Sequence, residues 1–230
     1  MLFLEDSYLK EFEAKIININ DNKIILDKTA LYAKSGGQPG DTGSLIFNDK
    51  KIDIIDTFYD QEKNIIHVCD NANKLEKNLS IKVKINWNRR YKFMRMHSAL
   101  HLLCALIPYE VTGGQINFEK SRLDFNDQDK KIQKEEIQAQ INNLMIKDHQ
   151  ITYKWISNEE LNRNPELVRT MSVKPPKTNN NIRLVKIGNI DLQPCGGTHV
   201  NSTKEIGEII IGKIENKGKM NRRVNILLND

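Results

Sequence analysis

The sequence has few of the features that mark a secreted or membrane protein. Its 230 residues include only three cysteines, Cys69, Cys104 and Cys195, an odd number that does not suggest a disulfide framework. No run of about 18 apolar residues could span a bilayer, and Glu5 and Asp6 interrupt the short apolar start that a signal peptide would extend. We therefore expect a cytoplasmic protein without a membrane segment, in which a cysteine is a metal ligand or a small buried residue.

Acidic residues are missing from the stretch between Asn78 and Met96, although the net charge of the whole chain is only +5. The basic residues of this stretch are Lys82, Lys84, Arg89, Arg90, Lys92 and Arg95. A second basic segment, which we predict to be a mobile loop, contains Lys213, Lys217, Lys219, Arg222 and Arg223 beside the single Glu215. Such patches suit a polyanion such as tRNA, but a solvated face explains the charge equally well.

The periodicity of apolar residues changes near Asn86. Before it, short alternating segments separated by turns predict a small β-barrel-like domain over residues 1–86. After it, a long helix is predicted from Trp87 until Pro108 ends it, a second helix from about Lys130 to Lys147, and a short helix capped by Ser157. Strands are predicted around 114–118, 123–125, 151–155, 182–187 and 208–214. The fold class is therefore α+β, with residues 87–230 as a second, α+β domain.

Two pairs of potential metal ligands have the same spacing. His97 and His101 lie four apart on the predicted helix, so both imidazoles can reach one ion from the same face. Cys195 and His199 frame the sequence Cys-Gly-Gly-Thr-His, in which the two glycines favour a sharp turn. Three histidines and one cysteine form a tetrahedral donor set that suits zinc.

Each pair alone is a weak signal, because a helical histidine is more often a core or surface residue. Ser98 also occupies the position that a zinc protease of the His-Glu-x-x-His type fills with glutamate, so the protease interpretation lacks its general base. Cys104, one turn beyond His101, is an alternative ligand, although a buried thiol is the simpler interpretation. We assign no role to His67 and His149. The coexistence of both pairs in one domain favours the metal site.

Two further stretches are candidates for binding. Ser35 to Gly43 contains four glycines, so its backbone can adopt positive φ and approach a ligand closely, but a plain tight turn is an equal alternative. In Ser-Arg-Leu-Asp-Phe, Asp124 is either a partner of a metal-bound histidine or a member of a structural salt bridge.

Several motifs together, in order, resemble the editing domain of alanyl-tRNA synthetases and the free-standing AlaX-type editing proteins. They are Thr-Ala-Leu-Tyr-Ala-Lys-Ser-Gly-Gly-Gln-Pro-Gly-Asp-Thr-Gly, His-Ser-Ala-Leu-His-Leu-Leu, Ser-Arg-Leu-Asp-Phe, and Asp-Leu-Gln-Pro-Cys-Gly-Gly-Thr-His-Val followed by Thr-Lys-Glu-Ile-Gly. The resemblance spans nearly the whole chain and implies a free-standing editing protein. The paired metal motif alone also fits the editing domain of threonyl-tRNA synthetases, and the glycine-rich module favours the alanyl branch.

The resemblance implies zinc-dependent hydrolysis of the aminoacyl ester on tRNA(Ala) that has been mischarged with serine or glycine. An alanine pocket cannot strongly reject an isostere that adds one hydroxyl, so a second site must remove the error. Thr29 is the candidate partner of the serine hydroxyl, Gln38 is a candidate for pocket or acceptor-end contacts, and Cys195 acts with the metal near the ester. These three are the catalytic candidates.

The candidate substrate-binding residues are Thr29, Gly36, Gly37, Gln38 and Asp124. The N–H groups of Gly196 and Gly197 are candidates to stabilise an oxyanion. The general base is not assigned, and a monomer and a homodimer are both open. A non-catalytic, zinc-stabilised RNA-binding module and a small-molecule zinc hydrolase are the competing functional classes.

Overall fold

The structure is a computed structural model that describes residues 1–129, 131–168, 177–178, 181–218 and 220–229. Within these ranges the chain is mostly β-sheet and divides into two compact units, Met1–Lys92 and Phe93–Asp230. The division into independent domains after Asn86 stays a prediction.

The strands are β1 (Glu11–Asn20), β2 (Lys23–Leu26), β3 (Gly43–Phe47), β4 (Lys50–Tyr59), β5 (Ile65–Cys69), β6 (Ser80–Ile85), β7 (Val111–Gln115), β8 (Lys120–Asn126), β9 (Ile151–Ser157), β10 (Lys177–Thr178), β11 (Asn181–Ile187), β12 (Asp191–Pro194), β13 (Ile209–Lys217) and β14 (Asn221–Leu228). The α-helices are α1 (Trp87–Leu106), α2 (Lys134–Ile146) and α3 (Asn158–Arg163). None of the helices in the described ranges has the length and apolar character needed to cross a membrane.

The first unit is a closed barrel of six antiparallel strands in the order β1-β2-β5-β4-β3-β6. Strand β1 shows the pattern that builds it, because Phe12, Ala14 and Ile16 are buried in the core while the residues between them are exposed. The predicted small barrel is confirmed. Strand β3 was not predicted because its buried residues do not alternate with more exposed ones. It begins at Gly43, where a Cβ would lie 2.2 Å from the Lys84 carbonyl oxygen.

A buried ion pair fixes one side of this unit. Arg90, in the first turns of α1, is 0% exposed and its Nε donates to Oδ2 of Asp41 at 2.8 Å. The same carboxylate oxygen accepts from the backbone N–H of Tyr32 at 2.6 Å, and the Thr57 hydroxyl donates to the Asp41 carbonyl at 2.9 Å. These bonds hold the segment that runs from Thr29 to Tyr32.

The second unit contains two four-stranded sheets. In one, β11 pairs with β9, β10 and β12; the other has the order β13-β14-β8-β7. Helix α1 occupies its predicted position, and the Ser157 hydroxyl accepts from the Glu160 N–H at 3.1 Å at the start of α3, as the capping pattern predicts.

Helix α2 begins later than predicted. The Asp127 carboxylate accepts from the N–H groups of Lys131 and Ile132, at 3.0 and 3.1 Å, and holds these residues outside the helix. Lys130 lies outside the described residues.

The predicted mobile loop near the C-terminus is wrong, because most of its described residues belong to β13 and β14, and Gly218 and Met220 lie in the turn between the two strands. The two strands pair from Ile209 with Leu228 to Lys217 with Asn221. Strand β14 buries the consecutive residues Val224, Asn225 and Ile226, one of them polar, so it lacks the hydrophobic alternation on which strand prediction depends. Lys219 lies outside the described residues.

Candidate functional site

The structure brings together the four residues predicted as metal ligands. His97 and His101 project from successive turns of α1, and their ring centroids are 5.3 Å apart. Cys195 and His199 come from the segment that follows β12, and the His199 ring lies 4.2 Å from that of His97 and 4.6 Å from that of His101. The four donor atoms lie within 4.8 Å of one another, so the cluster could hold a metal ion.

The cysteine sulfur lies close to two of the histidines of this cluster. Cys195 Sγ is 3.4 Å from Nε2 of His97 and 3.3 Å from Nε2 of His199. Burial alone would raise the pKa of this thiol, but the neighbouring charges of His97 and His199 outweigh it and hold the pKa well below its usual range. The thiolate is the form that binds metals.

The ligand histidines have fixed orientations. Nδ1 of His101 is 2.8 Å from Oδ2 of Asp191, and the Gln193 side-chain amide donates to the same oxygen at 2.8 Å. Nδ1 of His199 is 3.2 Å from the Ser98 hydroxyl. Each ring therefore turns its Nε2 toward the cluster, as carboxylate–histidine–metal arrangements do.

The electrostatic effect of these neighbours differs between the two rings. Burial lowers the pKa of His101, but hydrogen bonds to Asp191 and Cys195 outweigh that effect and raise the pKa to about 10. Burial and the charge of His97 hold the pKa of His199 well below its usual range.

The turn at Gly196 and Gly197 also contacts the sulfur of Cys195. The Gly197 N–H donates to Cys195 Sγ at 3.3 Å, and the buried Arg183 donates to the Gly197 carbonyl at 3.0 Å. The Cys195 N–H in turn donates to the Arg183 carbonyl at 3.0 Å. The Gly197 amide is therefore already engaged by the cysteine sulfur and is not free for an oxyanion.

Asp124 forms ion pairs with arginines, the second of its two predicted alternatives. Its carboxylate accepts from Arg122 and from two nitrogens of Arg223, at 2.8 and 3.0 Å for the latter. The carboxylate that contacts a cluster histidine is Asp191 instead. Asp191 stands in the quoted motif Asp-Leu-Gln-Pro-Cys, four residues before the cysteine, and this proximity is the only sequence signal that could have identified it.

The glycine-rich loop of the first unit contains a tight turn. Ser35 and Gln38 exchange backbone hydrogen bonds of 3.1 and 2.8 Å across Gly36 and Gly37, whose φ angles are +53° and +82°. Positive φ at both central residues is what a type I′ turn requires, so the predicted need for glycine is confirmed. The turn is exposed, whereas the Gln38 side chain is 1% exposed.

Thr29 lies inside the barrel unit with a histidine as its neighbour. Its hydroxyl oxygen is 3.0 Å from Nε2 of His67, and it accepts from the Leu31 N–H at 3.0 Å. Sequence reasoning assigned no role to His67, because a single histidine in an alternating strand carries no motif.

Most of the basic residues in the two predicted patches have partners within the protein. In the first patch Arg90 is buried, Lys82 pairs with Glu11 at 2.6 Å, and Arg95 donates to the Ile206 carbonyl. In the second, Arg223 pairs with Asp124 and Lys217 with Glu215 at 2.9 Å. Carboxylates therefore pair with some of these basic residues, whereas the bond from Arg95 to a carbonyl leaves its charge in place.

Two family models match the chain. One, described as the threonyl and alanyl tRNA synthetase second additional domain, matches residues 182–225 and includes Cys195 and His199. The other, described as tRNA synthetases class II (A), matches residues 4–89. The first covers threonyl and alanyl synthetases alike, so it does not separate the two branches.

Individual curated relatives distinguish the alanyl branch from the threonyl branch. The alanyl-tRNA editing protein AlaX-M of Saccharolobus solfataricus is 39% identical over 97% of this chain and 96% of its own length, and that of Methanosarcina acetivorans is 35% identical over 100% and 99%. An alanine–tRNA ligase of Pyrococcus abyssi is 32% identical over 93% of this chain but only 24% of its own length. The chain belongs to the family of alanyl-tRNA editing proteins, AlaX.

Proposed function

We propose that this protein is a trans-editing aminoacyl-tRNA deacylase that hydrolyses the ester of tRNA(Ala) mischarged with serine, and also that of the glycyl form. The observation that carries the proposal is the cluster of His97, His101, Cys195 and His199 in a chain whose full length matches curated alanyl-tRNA editing proteins. The cytoplasm, where tRNA is charged and used, is the proposed site of action.

Zinc is the proposed ion. For bonds of about 2.3 Å to sulfur and 2.0–2.1 Å to nitrogen, a tetrahedral site requires a sulfur–nitrogen separation of about 3.5 Å. The separations from Cys195 to His97 and His199, 3.4 and 3.3 Å, fit that requirement, and a thiolate with imidazoles is a donor set that zinc favours. The chemistry that zinc supplies when bound is polarisation of an ester carbonyl or activation of water.

The protein's own groups have separate roles in this proposal. Asp191 and Ser98 orient the rings of His101 and His199, and the Gly197 N–H supports the sulfur. Thr29 offers its hydroxyl oxygen to the hydroxyl of the misattached serine. Because an alanyl ester would leave that oxygen without its donor, the site favours the seryl ester over the alanyl ester.

The proposed partner is the tRNA, and the exposed type I′ turn at Gly36 and Gly37 is the proposed contact for its acceptor end. The turn has no side chains to obstruct a close approach, and a Cβ on Gly36 would meet no atom within 4 Å.

The test is deacylation of seryl-tRNA(Ala) beside correctly charged alanyl-tRNA(Ala), with protein of measured zinc content. We expect loss of serine with alanine spared, and loss of cleavage in a folded His101→Asn variant, while Glu160→Gln, which removes an exposed ion pair with Lys154, keeps its activity. No cleavage by folded, zinc-loaded protein contradicts the proposal and leaves a binding module.

Two further controls separate the competing classes. Cleavage of a simple amino-acid ester at the same rate as the tRNA substrate, independent of salt, indicates a small-molecule hydrolase, because tRNA binding weakens steeply with salt. Preference for seryl-tRNA(Thr) over seryl-tRNA(Ala) indicates the threonyl type.

A further inference from the structure

We propose that His67 is a positioning residue that makes the Thr29 hydroxyl a fixed hydrogen-bond acceptor, so that the barrel unit recognises a hydrogen-bond donor on the β-carbon of the attached amino acid. The inference rests on the proposed function and deepens it, because it states how serine is distinguished from alanine and glycine.

His67 lies in the middle of the barrel wall. On β5 it stands opposite Ile24 of β2 on one side and Thr57 of β4 on the other, and it is 0% exposed. Its Nδ1 lies 3.3 Å from the Ile24 carbonyl oxygen, and its Nε2 lies 3.0 Å from the Thr29 hydroxyl oxygen. A carbonyl oxygen only accepts, so Nδ1 must carry the proton of the bond to Ile24.

The position of the remaining proton follows from the charge of the ring. Burial lowers the pKa of His67 to about 4, so the imidazole is neutral near pH 7 and its Nε2 carries no hydrogen. The only hydrogen that can lie between Nε2 and the Thr29 oxygen is that of the hydroxyl. Thr29 therefore donates to His67.

The bonds of the Thr29 oxygen can now be counted. A hydroxyl has one donor and two acceptor positions. The donor is used by His67, and one acceptor position is used by the Leu31 N–H at 3.0 Å. Within the part of the chain that the structure describes, this leaves a single acceptor position, which can pair only with a group that donates.

Hydrogen bonds hold the backbone around Thr29 in place, while the contacts with His67 and the Leu31 N–H orient the hydroxyl. The Leu2 N–H donates to the Thr29 carbonyl at 2.8 Å, and Arg90 donates to the carbonyl of Ala30. If the hydroxyl turned its hydrogen toward a substrate instead, the bond to His67 would break and a buried imidazole nitrogen would be left unpaired. The hydroxyl of serine can donate to the vacant position, whereas the methyl of alanine and the hydrogen of glycine cannot.

The first part of the test measures the ring directly. We expect long-range ¹H–¹⁵N correlation spectra of wild-type protein at pH 7 to show His67 as the neutral tautomer protonated at Nδ1. A ring protonated at Nε2, or a charged ring, overturns the inference without touching the proposed function.

The second part uses glycyl-tRNA(Ala) as an internal control, because it has no hydroxyl to recognise. In a folded His67→Leu variant we expect kcat/KM for the seryl substrate to fall roughly tenfold, the size of one hydrogen bond, with the glycyl substrate unaffected. His67→Gln, whose side-chain oxygen can accept in place of Nε2, should restore much of the loss. In a Thr29→Val background His67→Leu should change the seryl-to-glycyl ratio no further.

The outcomes separate the two proposals. An equal loss on both substrates makes His67 merely structural and overturns the inference. If His67→Leu does not fold, the Gln variant and the tautomer still decide it. Failure of wild-type protein to cleave either substrate overturns the proposed function itself.

Discussion

The Asp191 carboxylate accepts a hydrogen bond from Nδ1 of His101 at 2.8 Å, and so joins β12 to the metal cluster on α1. Gln193, on the same strand, donates to the same carboxylate oxygen at 2.8 Å and fixes it in place. The strand that leads to Cys195 thus also orients a ligand on the helix. The geometry of the cluster therefore depends on residues of β12 as well as on its own four residues.

Replacement of this carboxylate should weaken metal binding without removing a ligand. We expect Asp191→Asn to lower zinc affinity by about 10–100-fold, because a neutral amide oxygen is a weaker acceptor than the carboxylate and fixes the orientation and tautomer of His101 less firmly. Competition with a chromophoric chelator measures the affinity. The matched control is Asp124→Asn, since its carboxylate pairs with arginines instead. Equal zinc affinity of wild type and Asp191→Asn would show that Asp191 does not orient the ligand.

Local patterns in the sequence account for part of this fold and site. Helical spacing is enough to place His97 and His101 on one face of α1, and period-2 alternation is enough to predict most of the barrel. The contact between His101 and Asp191 joins residues 90 positions apart, so it depends on where β12 lies in the fold. Strand β14 escaped prediction because its neighbours in the sheet, which no local pattern records, determine its pairing.

The three cysteines should differ sharply in reactivity once metal is removed. Cys69 and Cys104 are buried, and burial raises the pKa of the Cys69 thiol to about 12, so neither should react readily. Cys195 is only half-buried and is protected by an ion when one is bound. We expect one thiol to react with a chromogenic disulfide after chelation and none before, and Cys195→Ser to abolish that reaction. Labelling of Cys69 or Cys104 in folded protein contradicts the assignment.

Two glycines of the same loop should respond differently to substitution. At Gly40 a Cβ would lie 2.0 Å from the backbone oxygen of Thr57, so Gly40→Ala should lower the free energy of unfolding by about 3 kcal/mol. At Gly36 space is open and only the positive φ restricts the residue, so Gly36→Asn should change stability little. Denaturant unfolding of both variants measures the difference. A larger loss of stability in Gly36→Asn than in Gly40→Ala would show that the positive φ, and not the space around the residue, limits substitution in this loop.

The Asp41–Arg90 ion pair should be the least replaceable contact of the barrel unit. Asp41→Asn leaves a guanidinium that is 0% exposed without its carboxylate, and we expect a loss of about 3–5 kcal/mol in the free energy of unfolding. The control is Glu11→Gln, which removes an exposed ion pair with Lys82 and should leave the free energy of unfolding nearly unchanged. Arg90 also donates to the Ala30 carbonyl next to Thr29, so a folded Asp41→Asn variant should lose part of its preference for the seryl over the glycyl substrate. Full selectivity with reduced stability would confine the pair to a structural role.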